Sequence, residues 1–202
     1  RQVGASAAAA AAATRVAAST AALADVVSGL GSDNTLRMKL SAFVLAGRLE
    51  RVVELANERL QRMGDGRFHL AHSDRLASGG RRSGLGLVVQ DEWTGQVRDT
   101  ATLSGGESFM ASLALALGLA DAVREESGGI DLHTLFIDEG FGSLDGESLE
   151  QVMEVLDQLQ DGGRAVGVVS HVPALRDRIP AQVQVDKTRR GSTVRRVTGP
   201  AA

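Results

Sequence analysis

Leu103-Ser104-Gly105-Gly106-Glu107, followed some thirty residues later by Leu135-Phe136-Ile137-Asp138-Glu139, decides how this chain is read. The first stretch reads as a tight glycine turn opening a helix. Ser104 stands where a cap residue belongs, and Glu107, three positions on, completes a capping box. The run Ser108 to Leu117 that follows is rich in helix formers. Such a helix N-terminus presents amide N–H groups and the positive end of a dipole, which suits a phosphate. The second stretch is three apolar residues ending in two carboxylates. It reads as a buried strand of a parallel sheet that delivers acids at its C-terminal end, where open α/β sheets bind ligands. A phosphate cradle and strand-end acids together point to nucleotide chemistry.

At 202 residues the chain is long enough for one sizeable core. It has no cysteine, so nothing in it implies disulfides, a cysteine-ligated zinc or an oxidising compartment. No run reads as long and apolar enough to cross a membrane, and the start lacks the layout of a signal peptide. The expected compartment is cytoplasmic, with no membrane partner. The net charge of -3 hides an asymmetry. Acids crowd the segment from Asp121 to Asp161, where Arg124 is the one base. From Arg164 onward the bases Arg164, Arg176, Arg178, Lys187, Arg189, Arg190, Arg195 and Arg196 face only Asp177 and Asp186. A basic end suits a polyanion, or equally a charge-guarded edge strand.

Residues 1–34 are dominated by alanine, the best helix former but a poor source of buried surface, and read as a helical arm. The start at Arg1-Gln2, with neither initiator methionine nor capping signal, reads as the edge of a fragment. Residues 35–63 read as one long helix, with Leu45, Leu49, Val52, Ala56, Leu60 and Met63 at three- and four-residue steps. Residues 64–202 read as an α/β lobe. Within it a strand over 67–72 pairs with a second over 85–91 as a β-hairpin, through a flexible turn at 79–84. Val97 to Thr102 leads into the glycine turn. After the helix that follows, Gly128-Gly129 breaks the chain before the acid-tipped strand. A loop from Gly140 to Asp145, a helix over 146–160 and an apolar strand over 165–169 ending in Ser170-His171 make a βαβ unit. A short helix over 173–177 and two strands, 182–187 and 193–197, close the chain. His69 and His72 lack cysteine or carboxylate partners at ligand spacing, so a metal there is not expected.

The chemistry can be assigned by type. An aspartate at a strand end beside phosphates holds Mg2+, directly or through water, which is the reading for Asp138. The adjacent Glu139 can orient and deprotonate a water. His171, at the tip of the neighbouring strand, can contact a γ-phosphate, and Asp145 can bridge to a second subunit. The plain alternatives are solvated acids at a strand end and a structural histidine.

Taken in order, these residues resemble the ATP-binding-cassette superfamily. Leu103 to Glu107 looks like its signature motif, Leu135 to Glu139 like its Walker B strand, Ser143-Leu144-Asp145 like its D-loop, and Ser170-His171 like its switch histidine. The gap from Ser104 to Asp138 and the ending in Glu107 rather than glutamine resemble the DNA-repair and chromosome branch, above all the SbcC family. The resemblance covers residues 35 to 197. It implies the C-terminal lobe of a P-loop NTPase head, with parallel core strands, a β-hairpin and a long coiled-coil base helix. It further implies that Ser104, Gly105, Gly106 and Glu107 engage ATP held by the opposite subunit, with Asp145 at that junction. Asp138 would hold Mg2+, and Glu139 and His171 would be catalytic. The implied partners are an N-terminal lobe of the same protein, a second copy joined through ATP-bound heads, an SbcD-like nuclease subunit and double-stranded DNA. No Gly-x-x-x-x-Gly-Lys-Ser/Thr occurs in the sequence, so the chain by itself is expected to be inactive. The alternatives are a chromosome or recombination ATPase without a nuclease, a transporter's nucleotide-binding subunit, and a non-enzymatic interaction module.

Overall fold

The computed structural model describes residues 2–73, 85–128, 132–189 and 191–198. The expected turn at 79–84, Gly129 and Arg190 lie outside these residues. The chain divides into two compact units, Arg1–Thr102 with Ala111–Ile130, and Leu103–Met110 with Asp131–Ala202.

In the first unit, helix α1 (Gln2–Val27) is the alanine-rich arm, exposed along nearly its whole described length. It ends at Gly29 and Gly31, both with left-handed φ. The long helix expected from residue 35 begins only at Leu40, as α2 (Leu40–Met63). Asn34 explains the difference. Its amide donates to the carbonyls of Val26, at 2.7 Å, and Met38, at 2.8 Å, and its oxygen accepts the Met38 N–H at 3.2 Å. Those bonds satisfy the backbone in a turn that includes Arg37 at φ 49°, so helix is not needed there. The expected apolar stripe is also buried over only part of its length. Val52, Ala56, Leu60 and Met63 are in the core with Val53 and Leu55, whereas Leu45 is exposed.

Helix α3 (Gly105–Glu126) contributes its Ala111–Glu126 part to this unit. Gly118 sits where a Cβ would lie 2.6 Å from the Val52 carbonyl oxygen and 2.8 Å from the Ala56 nitrogen. The mid-helix glycine therefore lets two backbones touch. Arg51 to Glu125, at 2.9 Å, and Arg59 to Asp121 flank the crossing.

Strands β1 (Phe68–Ser73), β2 (Gly86–Asp91) and β3 (Gln96–Asp99) form an antiparallel sheet in that order. The hairpin pairing agrees with expectation, and Phe68 lies opposite Asp91. The third strand was legible only as a lead-in. The free edge of β1 is closed by a side chain. Asn57 of α2, 5% exposed, donates to the Leu70 carbonyl and accepts the Leu70 N–H, both at 2.8 Å. One carboxamide thus replaces a neighbouring strand. Asp91, 1% exposed, closes the β2–β3 turn by accepting from the N–H groups of Trp93 and Thr94 and from Arg67.

In the second unit, β4 (Thr134–Asp138) and β5 (Ala165–Val169) pair in parallel, joined through α4 (Gly146–Asp161). After them come α5 (Pro173–Arg178) and the antiparallel pair β6 (Ala181–Thr188) and β7 (Gly191–Thr198). The acid-tipped strand was expected to be buried, and only one face is. Ile137 is in the core, but Phe136 is 77% and Val169 55% exposed. A two-stranded sheet covered by a helix on one side leaves the other face open, and Phe136 lies flat over Gly167, where a Cβ would be 2.6 Å from its ring.

Two helices, contrary to the sequence reading, are long and apolar enough to cross a membrane by length and composition alone: Ala9–Val27 and Gly105–Glu126. In the second, Leu113, Ala114 and Leu117 are buried within the protein, as in a core helix. The first owes its apolar character mainly to alanine.

Replacing Asn57 with leucine leaves the Leu70 N–H and C=O buried without partners. The expected loss in a denaturant titration is about 2–4 kcal/mol. Asp91 generates a second expectation. Arg67, then the N–H groups of Thr94 and Trp93, hold its carboxyl below the usual carboxylate range. A lowered folded pKa gives stability that is complete above the unfolded value, about 3.9, and disappears as pH falls through the folded one. Asp91→Asn should therefore flatten the acid limb of the stability–pH curve measured below about pH 4.

Candidate nucleotide site

The residues singled out by sequence all fall in the second unit. The capping box is realised as expected. The Ser104 N–H donates to the Glu107 carboxylate at 2.9 Å, and the Glu107 N–H donates to Ser104 Oγ at 3.3 Å. Because Ser104 Oγ accepts here, its own proton is left to donate outward. Gly105 and Gly106 occupy the first two helical positions, whose N–H groups have no acceptor within a helix.

The glycines themselves are not in a turn, as the sequence suggested, but in the first turn of α3, without left-handed φ. Their requirement is space. A Cβ on Gly106 would stand 2.9 Å from the Ser143 carbonyl oxygen, and one on Gly105 would stand 3.3 Å from Ser143 Cβ. The signature turn therefore lies directly on the loop that follows the two acids.

That loop is shaped by backbone strain and by one ring. The Glu139 N–H donates to the Val169 carbonyl at 2.9 Å, extending the parallel ladder one residue past β4. Glu139 then adopts φ 59°, in the left-handed region that non-glycine residues avoid, and Gly140 follows at φ 99°. The Phe109 ring fills the place of a side chain on Gly140, where a Cβ would be 2.3 Å from it. Phe109 also packs on Phe141, fully buried, with ring centroids 5.0 Å apart. Ser143 Oγ donates to the Gly140 carbonyl at 2.7 Å and completes a 3-10 turn over Phe141–Ser143.

The result is an exposed cluster at the ends of the parallel strands. Asp138 closes β4, and Glu139 points to His171, whose Nδ1 lies 3.0 Å from Glu139 Oε2. The His171 ring is 78% exposed, and its Nε2 comes within 3.6 Å of where a Cβ on Gly142 would be. The structure thus brings Glu139 and His171 into direct contact and sets Gly105 and Gly106 against Ser143. Asp145 is placed differently from its reading as a bridging group. Its carboxylate caps α4 by accepting the Ser148 N–H at 2.8 Å, and that bond holds its pKa below the usual value. Asp138 is exposed at a strand tip, which fits a hard cation that keeps most of its water. Sequence reasoning missed Phe109 and Gly140 as the pair that joins the two motifs. A signal existed, because the chain has only five phenylalanines and one falls just inside each motif.

Gly140→Ala should destabilise this unit by about 2–4 kcal/mol, from both the left-handed φ and the collision with Phe109. Adding Phe109→Ala removes the collision but not the backbone strain. A double-mutant cycle in denaturant is expected to return part of the Gly140→Ala loss, giving a coupling energy of about 1 kcal/mol or more.

Comparison with known proteins places these features. A family described as "SbcC/RAD50-like, Walker B motif" matches residues 81–158. The SbcC component of nuclease SbcCD from Treponema pallidum is 47% identical over 85% of this chain, and that from Vibrio cholerae is 51% identical over 80%. The chain spans only 16% of the length of each of these relatives. Among solved structures, one from work on ATP-driven dimerization and DNA-stimulated activation of SMC ATPases has a TM-score of 0.59 at 14% identity, covering 78% of this chain and 89% of that one. The Smc head domain of Pyrococcus furiosus, with an extended coiled coil and bound to the C-terminal domain of ScpA, has a TM-score of 0.54 at 13% identity, covering 82% of this chain and 39% of that one. The fold is that of SMC-type ATPase heads. By sequence the chain is a relative of the SbcC component of nuclease SbcCD, SbcC/RAD50-like in its Walker B region, and it corresponds to 16% of that protein's length.

Proposed function

We propose that this chain is the C-terminal ATPase lobe of an SbcC-like DNA-repair protein, in which ATP binding and hydrolysis control cleavage of double-stranded DNA by a partner nuclease. The observation that carries the reading is the Glu139–His171 contact of 3.0 Å at the tips of two parallel strands, beside the exposed Asp138. Relatives named for a nuclease complex, at 47% and 51% identity, favour this over a chromosome ATPase without a nuclease.

Each residue takes a role its geometry permits. The Glu139 carboxylate accepts a proton from an attacking water, and His171, held at its Nδ1, keeps that carboxylate aimed and offers Nε2 outward to a terminal phosphate oxygen. Ser104 Oγ–H and the N–H groups of Gly105 and Gly106 donate to phosphate held by an opposing subunit. Asp138 fits a Mg2+ ion, which supplies neutralisation of phosphate charge when bound.

The phosphate-gripping lysine loop is assigned to an N-terminal lobe of the same longer protein, since no such motif occurs here. The open face of β4 and β5, with Phe136 and Val169 exposed, supports such a partner, because parallel sheets are ordinarily covered on both sides. The arm α1 and the start of α2 would continue as coiled coil. Basic residues Lys187, Arg189, Arg195 and Arg196 on the exposed β6–β7 pair are candidates for phosphate contacts with DNA.

The test is ATP hydrolysis by this chain mixed with the N-terminal lobe of an SbcC protein. Activity is expected only on mixing, and Glu139→Gln should lower it by about a hundredfold or more while leaving nucleotide-dependent association of the lobes intact. Hydrolysis by the chain alone would overturn the shared-site reading.

A further inference from the structure

The His171 ring has little packing of its own, being 78% exposed with Glu139 and the open side of Gly142 beside it. Its position must therefore come from the backbone on either side. Before it, the β5 ladder holds Val169 opposite Asp138. After it comes α5, six residues long and too short to hold its own shape. Three contacts fasten α5. Leu175 is 4% exposed in the core. Gln182 donates its amide to the Ile179 carbonyl at 2.7 Å and to that of Arg176. Arg178, the last residue of α5, divides its guanidinium between two acids of α4, reaching Glu150 through Nη1 and Asp157 through Nη2, the latter at 3.0 Å.

Of these contacts, the Arg178 fork ties α5 to α4. Helix α4 starts at Asp145, immediately after the loop that follows Glu139. The fork therefore links the segment downstream of the histidine to the helix downstream of the glutamate. Glu150 and Asp157 are seven residues apart, two turns on one helix face, and a planar guanidinium can span them where an ammonium cannot. Both pairs are partly exposed, so their worth as ion pairs is small. Their consequence is geometric.

We infer that Arg178 is a positioning residue, which holds His171 on Glu139 by clamping α5 to α4. The inference rests on the ATPase reading above for its catalytic consequence, but the positioning itself does not depend on it. The first measurement is therefore the imidazole nitrogen and proton spectrum of His171 in this chain, by NMR, with Glu139→Gln marking the signal of the broken contact.

Arg178→Gln is expected to move the His171 resonances most of the way to the Glu139→Gln positions, and Arg178→Lys part of the way. The double variant Glu150→Gln/Asp157→Asn, which breaks the fork from the other side, should do the same and keeps the test intact if Arg178→Gln fails to fold. In the two-lobe ATPase mixture, Arg178→Gln should lower kcat by about ten- to a hundredfold with KM for ATP changed less than about twofold. Unmoved His171 resonances in a folded Arg178→Gln or double variant overturn the inference, whatever the ATPase does. Resonances that move while the wild-type mixture hydrolyses nothing uphold the clamp and count against the ATPase reading.

Discussion

The contact between the Phe109 ring and Gly140 is the constraint from which the site follows. It sits where two motifs, thirty residues apart in sequence, must meet. A side chain on Gly140 would occupy the ring's place, so the chain can turn sharply after the acids only with glycine there. Once that contact is made, Phe141 is buried beneath the ring, Ser143 is bonded back over Gly140, and Gly105 and Gly106 can lie against Ser143. Any displacement of the start of α3 is consequently felt at the loop carrying Glu139. The strained φ of Glu139 is tolerated because the Val169 carbonyl on one side and this packed loop on the other leave it no alternative.

The first unit is organised by polar side chains standing in for backbone. Asn34 replaces the first turn of a helix, Asn57 replaces a neighbouring strand, and Asp91 closes a turn from inside the core. Each satisfies groups that would otherwise be buried without partners, which ties its energetic weight to the backbone and not to its own burial. Gly118 does the converse. By having no side chain it brings two helices close enough for their backbones to touch.

The second unit is more open than its sequence suggests. One face of the β4–β5 pair and much of the β6–β7 pair are exposed, including Phe136, Val169, Val183, Val185 and Val194. Apolar side chains in such numbers on small sheets mark surfaces that a larger head would cover, in keeping with a chain that spans 16% of its relatives' length.

Much was legible in advance. Capping by Ser104 and Glu107, the acid-tipped parallel strand, the helix after Asp145 and the strand ending at His171 follow from local chemistry and spacing, because each depends on residues within a few positions of one another. The relationship to SbcC followed from the order of these motifs. What was misread has one cause. Whether Phe136 is buried, whether a glycine serves a turn or a close approach, and whether residues 35–39 are helical are questions about distant neighbours. Asn34, Asn57 and Phe109 look ordinary in a linear reading, since their partners lie elsewhere along the chain. Local sequence determined the elements and the identity of the reactive residues. Only the tertiary structure decided which of them touch, because a close approach of backbones or an unpartnered strand edge exists only once the chain has folded.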